Sequence, residues 1–379
     1  MIKKLNVVVH DLYNEIGHSR AMLEVLKAMP EGAIDHLNVI CFTHDTKESL
    51  FPNFQGKITF SKVPFPNIKP FILKSLFFQI YTYIFKNHLK INHSKTITVG
   101  VCSFIGDVVN VQFIHKLWTP LYFKISRPNW YKYIYKKILL NYLDFCEDIY
   151  YKIKRPKIMS LSKFIADDLI ERYNYNASDI EVAYSSASLS DFMCLDTSRN
   201  DLYQRLLINY PVLTQVDINK PILLFVGAFE RKGLKLVLDN LDDKQLIVIG
   251  KPEQSSNIDL SHYPHVTHVE FTKEINLFFN LCDCFIFPTS YEPFGLVAIE
   301  AAATGSNIII TKDKVGASEI LKDARGVVFS DETNIKALIK SQQILTHEER
   351  YDTFESRKEI FKRFSWEKAA KQWLKMIIS

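Results

Sequence analysis

The chain has 379 residues, of which 47% are apolar and 23% are charged, and its formal net charge is +5. This composition excludes a disordered or fibrous chain, and the length suits two globular domains better than one core. The basic excess is too small to indicate a nucleic-acid-binding protein by itself.

The six cysteines are scattered along the chain, and only Cys282 and Cys284 lie close together. A spacing of two residues on a strand points them to opposite faces, so neither a disulfide framework nor a zinc site is predicted. Cysteines without such a framework fit a reducing cytosol. The N-terminal apolar run is too short for a signal peptide, and the longest uncharged run, residues 75–85, is far shorter than the roughly 20 residues of a membrane span. We therefore expect a cytoplasmic protein, either soluble or peripheral at the inner membrane surface.

In the first half of the chain, short apolar runs alternate with helical patterns. Strands are predicted at LNVVVH, HLNVICF, TITVGV and DVVNVQFIH, with helices at SRAMLEVLKAM and at residues 71–90. The segment KIMSLSKFIADDLIERY adds a strand and a helix that Ser162 caps. Such alternation predicts a parallel, doubly wound sheet. The polar, less regular stretch at residues 185–220 is predicted to link the two halves.

The second half of the chain shows the same alternation of predicted strands and helices. PILLFVGAF, QLIVIG, CFIFPTS, NIIIT and GVVF are predicted strands, and GLKLVLDNL and EINLFFNLC are predicted helices between them. Two halves of this kind predict an α/β protein with two Rossmann-like domains whose parallel sheets face each other across a cleft. The C-terminal segment RFSWEKAAKQWLKMI has the apolar periodicity of an amphipathic helix.

Two glutamates frame a turn and a helix start in the stretch SYEPFGLVAIEAAATG, residues 290–305. In an open parallel sheet, ligands bind beyond the carboxyl ends of the strands, next to helix N-termini. Gly295 lets a ligand approach closely, so its amide and the next two amides suit a diphosphate. A helical rise from Glu292 to Glu300 would span about 12 Å, the distance from a sugar across a diphosphate to a ribose. The alternative is one glutamate that serves the helix dipole and another with an internal partner.

A second candidate element is LLFVGAFERKGLKLVL, in which a strand and Gly227 are followed by Arg231 and Lys232 before a helix. Cations on a strand-to-helix loop suit a diphosphate, because the Arg side chain forks onto two oxygens and Lys acts as a point charge. Solvated loop charges are the alternative. The presence of both elements in the same half favours a binding site.

Together these residues resemble the retaining glycosyltransferases of family 4, which share the GT-B fold. The stretch E-PFGLVAIEAAATG is similar to their Glu-x7-Glu motif. The stretch FVGAFERKGL resembles their phosphate loop and is closest to the form in lipopolysaccharide-core glucosyltransferases. Further similarity includes VGASEIL, FSWEKAAKQWL and SLSKFIADDLIERY. The resemblance runs nearly end to end and is strong over residues 220–330.

The resemblance implies an enzyme that moves a hexose, with retention of configuration, from a nucleotide diphosphate sugar, by preference a UDP-sugar. The acceptor would be a glycan or a lipid-linked molecule in cell-envelope polysaccharide synthesis. Residues 1–190 would form the acceptor-side domain, residues 191–360 the nucleotide-sugar domain, and residues 361–379 a helix packed back on the first domain. Neither a metal nor another cofactor is implied, because cations and amides would neutralise the leaving group.

The resemblance also implies the roles of individual residues, all but Gly17 in the second half. Glu292 would contact the donor sugar and take part in catalysis. The donor-binding residues would be Gly17, Arg231, Lys232, Phe294, Gly295, Leu296, Val297 and Glu300.

The first half departs more from the family than the second. Gly17 is the one glycine present where the family has a pair of loop glycines. Gln112 stands where a histidine is expected, and His115 follows three residues later. His115 and His18 each follow a predicted strand, and we expect His115 to be a catalytic-site ligand to the donor sugar or the acceptor. A structural histidine is the alternative.

In the second half, Ala228 replaces an arginine that many members have after the loop glycine. Ala228 and Gln112 together leave a second interpretation open. The chain would then be a GT-B protein that binds a nucleotide sugar without turnover and serves as an assembly module.

Residues 116–157 concentrate the basic excess, with ten lysine and arginine residues against three acidic ones and aromatic residues interleaved. This composition suits an interface with an anionic membrane. A core of aromatic residues with a solvated face is an alternative. Nucleic-acid binding has no motif behind it and is not predicted.

Overall fold

The computed structural model describes residues 2–14, 17–89, 91, 94–126, 128–253 and 256–379. The chain divides into two compact units. The first unit comprises residues 1–119, 134–185 and 365–379, and the second comprises residues 120–133 and 186–364. Each unit contains a large parallel sheet.

The strands of the first unit are β1 (Leu5–Val8), β2 (Asp11–Leu12), β3 (His36–Cys41), β4 (Thr43–His44), β5 (Lys57–Lys62), β6 (Lys95–Val99), β7 (Val108–Val111), β8 (Lys157–Ser160) and β9 (Ile180–Val182). Seven of them form one sheet in the order β5-β3-β1-β6-β7-β8-β9, and β2 pairs separately with β4. All of these pairings are parallel. The chain therefore winds outward from β1 on one side and returns to the other side at β6.

Helices alternate with these strands, as a parallel sheet requires. They are α1 (Gly17–Lys27), α2 (Lys47–Leu50), α3 (Phe71–Ile84), α4 (His115–Ile125), α5 (Trp130–Glu147) and α6 (Lys163–Tyr173). A π-helical segment, Asp148–Lys154, continues α5. The Ser162 hydroxyl accepts a hydrogen bond from the amide of Ile165, so the predicted cap of α6 is present.

The strands of the second unit are β10 (Ile222–Val226), β11 (Gln245–Ile249), β12 (Val266–Val269), β13 (Cys284–Phe287), β14 (Asn307–Thr311) and β15 (Val327–Ser330). Its helices are α7 (Arg199–Asn209), α8 (Leu234–Leu238), α9 (Ile275–Leu281), α10 (Leu296–Ala302), α11 (Ala317–Leu321), α12 (Ile335–Lys340) and α13 (His347–Arg363). The last helix, α14 (Trp366–Ile378), belongs to the first unit, where Gln372 donates to the Val182 carbonyl at 2.9 Å.

The second sheet has the order β12-β11-β10-β13-β14-β15, with parallel pairing throughout. The chain winds outward from β10 to β12 and then returns to the other side of β10 at β13. The carboxyl ends of β10 and β13 are therefore neighbours at the point where the winding direction reverses. Open parallel sheets bind their ligands at this switch point.

The central strands β10, β11 and β13 of the second sheet are buried, as in a parallel sheet with both faces covered. Ile222, Leu223, Leu224 and Phe225 of β10 are fully buried. Side chains from β10, β11, β13 and α8 form one apolar cluster. The near-continuous apolar runs in the sequence thus correspond to strands with two covered faces.

The predicted pair of Rossmann-like parallel sheets is confirmed, whereas the expectation of an irregular linker at residues 185–220 is wrong in part. Helix α7 lies within that stretch and begins at the cap residue Ser198. Its buried residues are Leu202 and Leu206, which lie one turn apart. So few core-facing positions give a weak periodic signal.

The other global expectations concern cysteines and membranes. All six cysteines are free and buried. Across the residues that the structure describes, no helix is both long enough and apolar enough to cross a bilayer.

Candidate functional site

The loop after β10 carries the two predicted cations. It turns at Gly233 (φ +81°), where a Cβ atom would lie 2.3 Å from the carbonyl oxygen of Pro288. Only glycine therefore lets this loop pack against the end of β13. The Thr289 hydroxyl also donates to the carbonyl of Arg231 at 3.0 Å. Arg231 and its neighbour Lys232 are thus held beside the residues that follow β13.

The turn after β13 presents Glu292. The amide of Glu292 donates to the Lys314 carbonyl at 2.8 Å, and its carbonyl accepts from the Gly316 amide at 3.1 Å. Gly295 (φ +96°) is the N-cap of α10, and a Cβ atom there would lie 3.2 Å from the Phe287 ring. These contacts fix the backbone of Glu292 on both sides.

The side chains of Glu292, Arg231 and Lys232 form one ion-pair cluster. Glu292 Oε2 accepts from Arg231 Nη1 at 2.7 Å and also from the ammonium of Lys232. The side chains are only 15%, 28% and 10% exposed, respectively. Lys232 Nζ lies 4.4 Å from the centroid of the Phe287 ring, within the range of a cation–π contact. Because the three groups are largely withdrawn from water, their charges interact more strongly than exposed ion pairs do.

The cluster shifts the pKa values of its members. Burial lowers the pKa of Lys232 to about 8, although the Glu292 carboxylate opposes this shift. Burial acts to raise the pKa of Glu292, but the attraction of Lys232 and Arg231 outweighs burial and holds that pKa below its ordinary value. At neutral pH the Glu292 carboxylate is therefore ionised. The pKa of Lys232 lies only slightly above neutral pH, so a small rise in pH removes its proton. Perturbed groups that lie together at a switch point are typical of functional sites.

A second carboxylate, from the loop after β11, holds the same cation-bearing loop. Glu253 accepts from the amide of Glu230 at 3.0 Å and from the amide of Arg231 at 3.1 Å. Glu230 in turn accepts from the amide of Asn257 at 3.3 Å. The two loops therefore clamp each other and fix the backbone of Arg231. The sequence interpretation missed Glu253, although its position three residues after a predicted strand was a signal that could have identified it.

The other predicted donor residues of this unit lie along the turn and α10. Phe294, Gly295 and Glu300 are buried, and Leu296 and Val297, the first two residues of α10, are half-buried. The predicted helical rise from Glu292 to Glu300 is wrong as a whole, because α10 begins only at Leu296 and a turn precedes it. The amides expected to hold a diphosphate lie at the start of α10, as predicted. That they bind a diphosphate stays a prediction.

In the first unit, the predicted site residue His115 forms a pair with a carboxylate. His115 Nδ1 lies 2.8 Å from Glu147 Oε1, which also accepts from the His115 amide at 2.6 Å. Glu147 accepts in addition from the amide of Lys116 at 3.1 Å and from the hydroxyl of Tyr173 at 3.4 Å. Glu147 is fully buried, whereas the His115 side chain is 20% exposed.

Glu147 therefore does two things at the start of α4. It caps the helix by accepting from its first two amides, and it holds the His115 ring through Nδ1. A carboxylate at Nδ1 favours the tautomer that carries its proton there and leaves Nε2 as an acceptor. The histidine is thus oriented as functional histidines commonly are.

The remaining predicted positions lie apart from these pairs along the chain. Gly17 is the exposed first residue of α1, and a Cβ atom there would meet nothing within 4 Å. The Gln112 side-chain amide donates to Asn110 Oδ1. The side chain of His18, the other candidate histidine, lies outside the described part of the molecule.

No group of three or more His, Cys, Asp or Glu residues is arranged to hold a metal ion within the described ranges. At the carboxyl ends of β10 and β13, Glu292 is paired with Arg231 and Lys232.

Comparison with known proteins adds three findings. Residues 214–363 match the sequence family described as Glycosyl transferases group 1, and this stretch contains the ion-pair cluster. The chain is 28% identical over 206 residues to an uncharacterized glycosyltransferase of Methanocaldococcus jannaschii. That match covers 49% of this chain and 58% of the relative, so the chain spans less than two thirds of the relative's length.

Solved structures resemble the whole chain. WaaG, a glycosyltransferase involved in lipopolysaccharide biosynthesis, has a TM-score of 0.66 at 14% identity and covers 98% of this chain and 95% of its own. HepE of Anabaena, in complex with UDP and glucose, has a TM-score of 0.68 at 13% identity and covers both chains fully. Identities this low show the fold alone, and that fold is GT-B, as the sequence predicted.

Proposed function

We propose that this chain is a group 1 glycosyltransferase that moves a hexose from a nucleotide diphosphate sugar to a glycan or a lipid-linked acceptor with retention of configuration. A UDP-sugar is the favoured donor because the similar HepE structure holds UDP and glucose. A role in cell-envelope polysaccharide synthesis is supported by the likeness to WaaG, which takes part in lipopolysaccharide biosynthesis. The observation that carries the proposal is the ion-pair cluster of Arg231, Lys232 and Glu292 at a switch point.

The cluster suits a diphosphate because its cations keep donor capacity beyond their contact with Glu292. Arg231 uses Nη1 toward the carboxylate, and its guanidinium has further N–H groups in a fork that matches phosphate oxygens. Lys232 has three N–H donors and likewise can serve a second acceptor. An entering diphosphate would therefore take over part of the charge compensation that Glu292 provides in the free protein.

Glu292 would then be released to accept from the hydroxyls of the donor sugar. In this arrangement the same three side chains act at both ends of the bond that breaks. The cations stabilise the negative charge that develops on the leaving nucleoside diphosphate. The carboxylate stabilises the positive charge that develops on the sugar ring. Catalysis rests on such electrostatics and on positioning.

The rest of the proposed site follows the predicted positions. The amides of Gly295, Leu296 and Val297 would assist with the phosphates, and the buried Glu300 would accept from the ribose hydroxyls. His115, oriented by Glu147, would bind the donor sugar or the acceptor. These assignments are supported by the resemblance to the retaining enzymes and by the burial and order of the residues in the chain.

We also propose that the enzyme works at the inner membrane surface, where a lipid-linked acceptor would be found. The basic and aromatic residues of the 116–157 segment support this location, since each Lys or Arg near an anionic surface contributes roughly 1 kcal/mol.

The competing function is a GT-B protein that binds a nucleotide sugar without turnover. Ala228 favours it, because one expected cation is missing from the loop. Calorimetry with nucleoside diphosphates followed by an assay for nucleoside diphosphate release separates the two. Binding with release, in the presence of acceptor or by slow hydrolysis, supports the enzyme. Binding without release from any donor supports the competing function, and no binding of any nucleoside diphosphate overturns both.

A further inference from the structure

The positive charge of the chain is concentrated in one long stretch of its sequence. Residues 49–143 contain thirteen lysine and arginine residues but only one acidic residue, Asp107. The net charge of the whole chain is +5, so the rest of the chain carries net negative charge. Helix α3 and most of α5 lie in this basic stretch.

Helix α3 leaves a row of large apolar side chains in water. Leu73, Leu76, Ile80, Tyr83 and Ile84 are 50%, 40%, 49%, 61% and 64% exposed. Their spacing of three or four residues, with Ile84 beside Tyr83, puts them on one side of the helix. Single exposed apolar residues are common on protein surfaces, but a contiguous apolar patch marks a docking surface.

Helix α5 has a similar row within the first unit. Ile134, Ile138 and Phe145 are 50%, 55% and 61% exposed, and their spacings of four and seven residues again place them on one side. The opposite side of α5 is buried through Leu139 and Leu143. The two rows therefore belong to two helices of one unit.

The two helices contact each other through Gln79. Its Oε1 accepts from the Tyr142 hydroxyl at 2.6 Å, and its Nε2 lies 3.6 Å from Cys146 Sγ. At 100° per residue, the exposed row of α3 begins next to Gln79, and the exposed row of α5 begins next to Tyr142. Both rows thus flank the same contact and point away from the buried sides of their helices. The eight residues of these rows form what we call the outer face: Leu73, Leu76, Ile80, Tyr83, Ile84, Ile134, Ile138 and Phe145.

We propose that the outer face docks on the surface of an anionic lipid bilayer. A membrane interface favours aliphatic and aromatic side chains with lysines around them, because the apolar groups enter the headgroup region while the cations meet lipid phosphates. Two lysines lie beside these apolar side chains. The exposed Lys137 lies between the two isoleucines of α5 in sequence, and Lys86 Nζ lies 4.2 Å from the centroid of the Tyr83 ring.

The charge pattern also distinguishes the bilayer from a second copy of the chain. In a two-fold contact the same surface meets itself, so the basic stretch of one copy would face the basic stretch of the other. Like charges disfavour that arrangement. A lipid surface supplies the negative charge that residues 49–143 lack.

This surface overlaps the 116–157 segment singled out in the sequence only through the α5 row and Lys137. Part of the charge of that segment is compensated within the protein, since Lys116 and Lys152 both pair with Asp148. Helix α3 lies outside the segment and carries more of the outer face. The inference deepens the proposed function by giving a lipid-linked acceptor a surface on which to meet the enzyme, and to that extent it rests on that function. The docking itself requires no donor or acceptor.

Co-sedimentation of the full chain with vesicles tests the inference. The vesicles are phosphatidylcholine alone, or phosphatidylcholine mixed with phosphatidylglycerol. The wild type should sediment with the mixed vesicles, sediment weakly with the neutral ones, and be released by salt because the attraction is screened. The double variant Ile80→Ser/Ile84→Ser should partition at least about tenfold less, because two exposed apolar groups of the α3 row are removed.

A matched control is the double variant Ile208→Ser/Ile378→Ser, in which the isoleucines are 79% and 60% exposed but lie outside the outer face. It should sediment like the wild type. For charge, Lys137→Glu should weaken sedimentation, whereas Lys371→Glu, at an exposed position of α14, should not. All variants change exposed side chains, and circular dichroism establishes that they are folded.

Several outcomes would overturn the inference. One is a wild type that does not sediment with the mixed vesicles. Another is an outer-face variant that binds them as well as its control does. Concentration-dependent dimerisation of the wild type that Ile80→Ser/Ile84→Ser abolishes would assign the face to a second copy instead. Nucleoside diphosphate binding, measured on the same samples, reports separately on the proposed enzyme, so the two failures are distinguishable.

Discussion

Glu292 and Arg231 are 61 residues apart in the sequence, yet Glu292 Oε2 lies 2.7 Å from Arg231 Nη1. The contact exists because β10 and β13 are neighbours in the sheet, so the loops that follow them meet. Lys232 joins the same carboxylate oxygen. In the free protein, Glu292, which is expected to hold the donor sugar, thus compensates the positive charge of Arg231 and Lys232, which are expected to hold its diphosphate.

Replacing Glu292 with Gln should lower turnover by at least about a hundredfold while donor affinity stays within several-fold. The amide keeps the shape of the side chain, but it loses the charge that would stabilise the transition state. Initial-rate kinetics and calorimetry measure the two quantities. Glu332→Gln, at an exposed position of the same unit, is the control. Unchanged turnover in Glu292→Gln would remove this residue from catalysis.

Arg231→Ala and Lys232→Ala should each weaken nucleoside diphosphate binding by about 1.5–3 kcal/mol, the range of charge-assisted hydrogen bonds. Little redundancy is expected, since Ala228 supplies no further cation to the loop. Titration calorimetry with UDP gives the dissociation constants. The control is Lys235→Ala, which removes a largely exposed lysine that pairs with Asp239. Normal affinity in the Arg231/Lys232 double variant would place the diphosphate elsewhere.

Nucleoside diphosphate binding should take up a proton above pH 8. Burial lowers the pKa of Lys232 to about 8 in the free protein, and a bound diphosphate anion raises that pKa again. Below pH 8 the ammonium is already protonated, so it adds no pH dependence there. Above pH 8 the amine must gain a proton when the ligand binds, and affinity should fall by up to about tenfold per pH unit.

Calorimetry at pH 9 in two buffers with different ionisation enthalpies measures this proton uptake. The wild type should show uptake, and Lys232→Ala should show none. Equal uptake in both proteins would mean that another group titrates and that Lys232 does not contact the diphosphate.

Glu147→Gln should lower the free energy of unfolding by about 1.5–3 kcal/mol, because a buried carboxylate that serves several donors is replaced by an amide with one acceptor oxygen. Urea denaturation measures the change, with Glu171→Gln at an exposed position of α6 as control. If His115 also serves the reaction, the variant should have a lower kcat/KM at temperatures where it is fully folded, because the ring loses the carboxylate that orients it. A loss of stability with an unchanged kcat/KM would make the pair purely structural.

The sequence predicted the two sheets and the two loops of the cluster because each is a local pattern. The sequence alone shows the long apolar runs of β10 and β13 and the turn glycines Gly233 and Gly295, because each can be recognised without knowing what it contacts. The ion pair between the loops was not predictable in this way. It depends on strand order, and β11 and β12 lie between β10 and β13 in the chain but not in that part of the sheet.

The same reason explains two other omissions. Glu253 reaches the amides of Glu230 and Arg231 because β11 is the other neighbour of β10. Glu147 reaches His115 across 32 residues because α5 returns alongside the start of α4. The position of Glu253 after a strand marks it as a candidate, but in neither case does the sequence identify the partners, which only the tertiary structure supplies.

The most direct test of the central claim is turnover of a nucleotide diphosphate sugar by the wild type and by Lys232→Ala. The assay detects released nucleoside diphosphate and determines by NMR the anomeric configuration of the product formed with an acceptor glycan. The proposed function predicts release by the wild type, a product with the configuration of the donor, and a large loss in the variant. A wild type that binds UDP-sugars but releases no nucleoside diphosphate with any acceptor, or forms a product of inverted configuration, would contradict it.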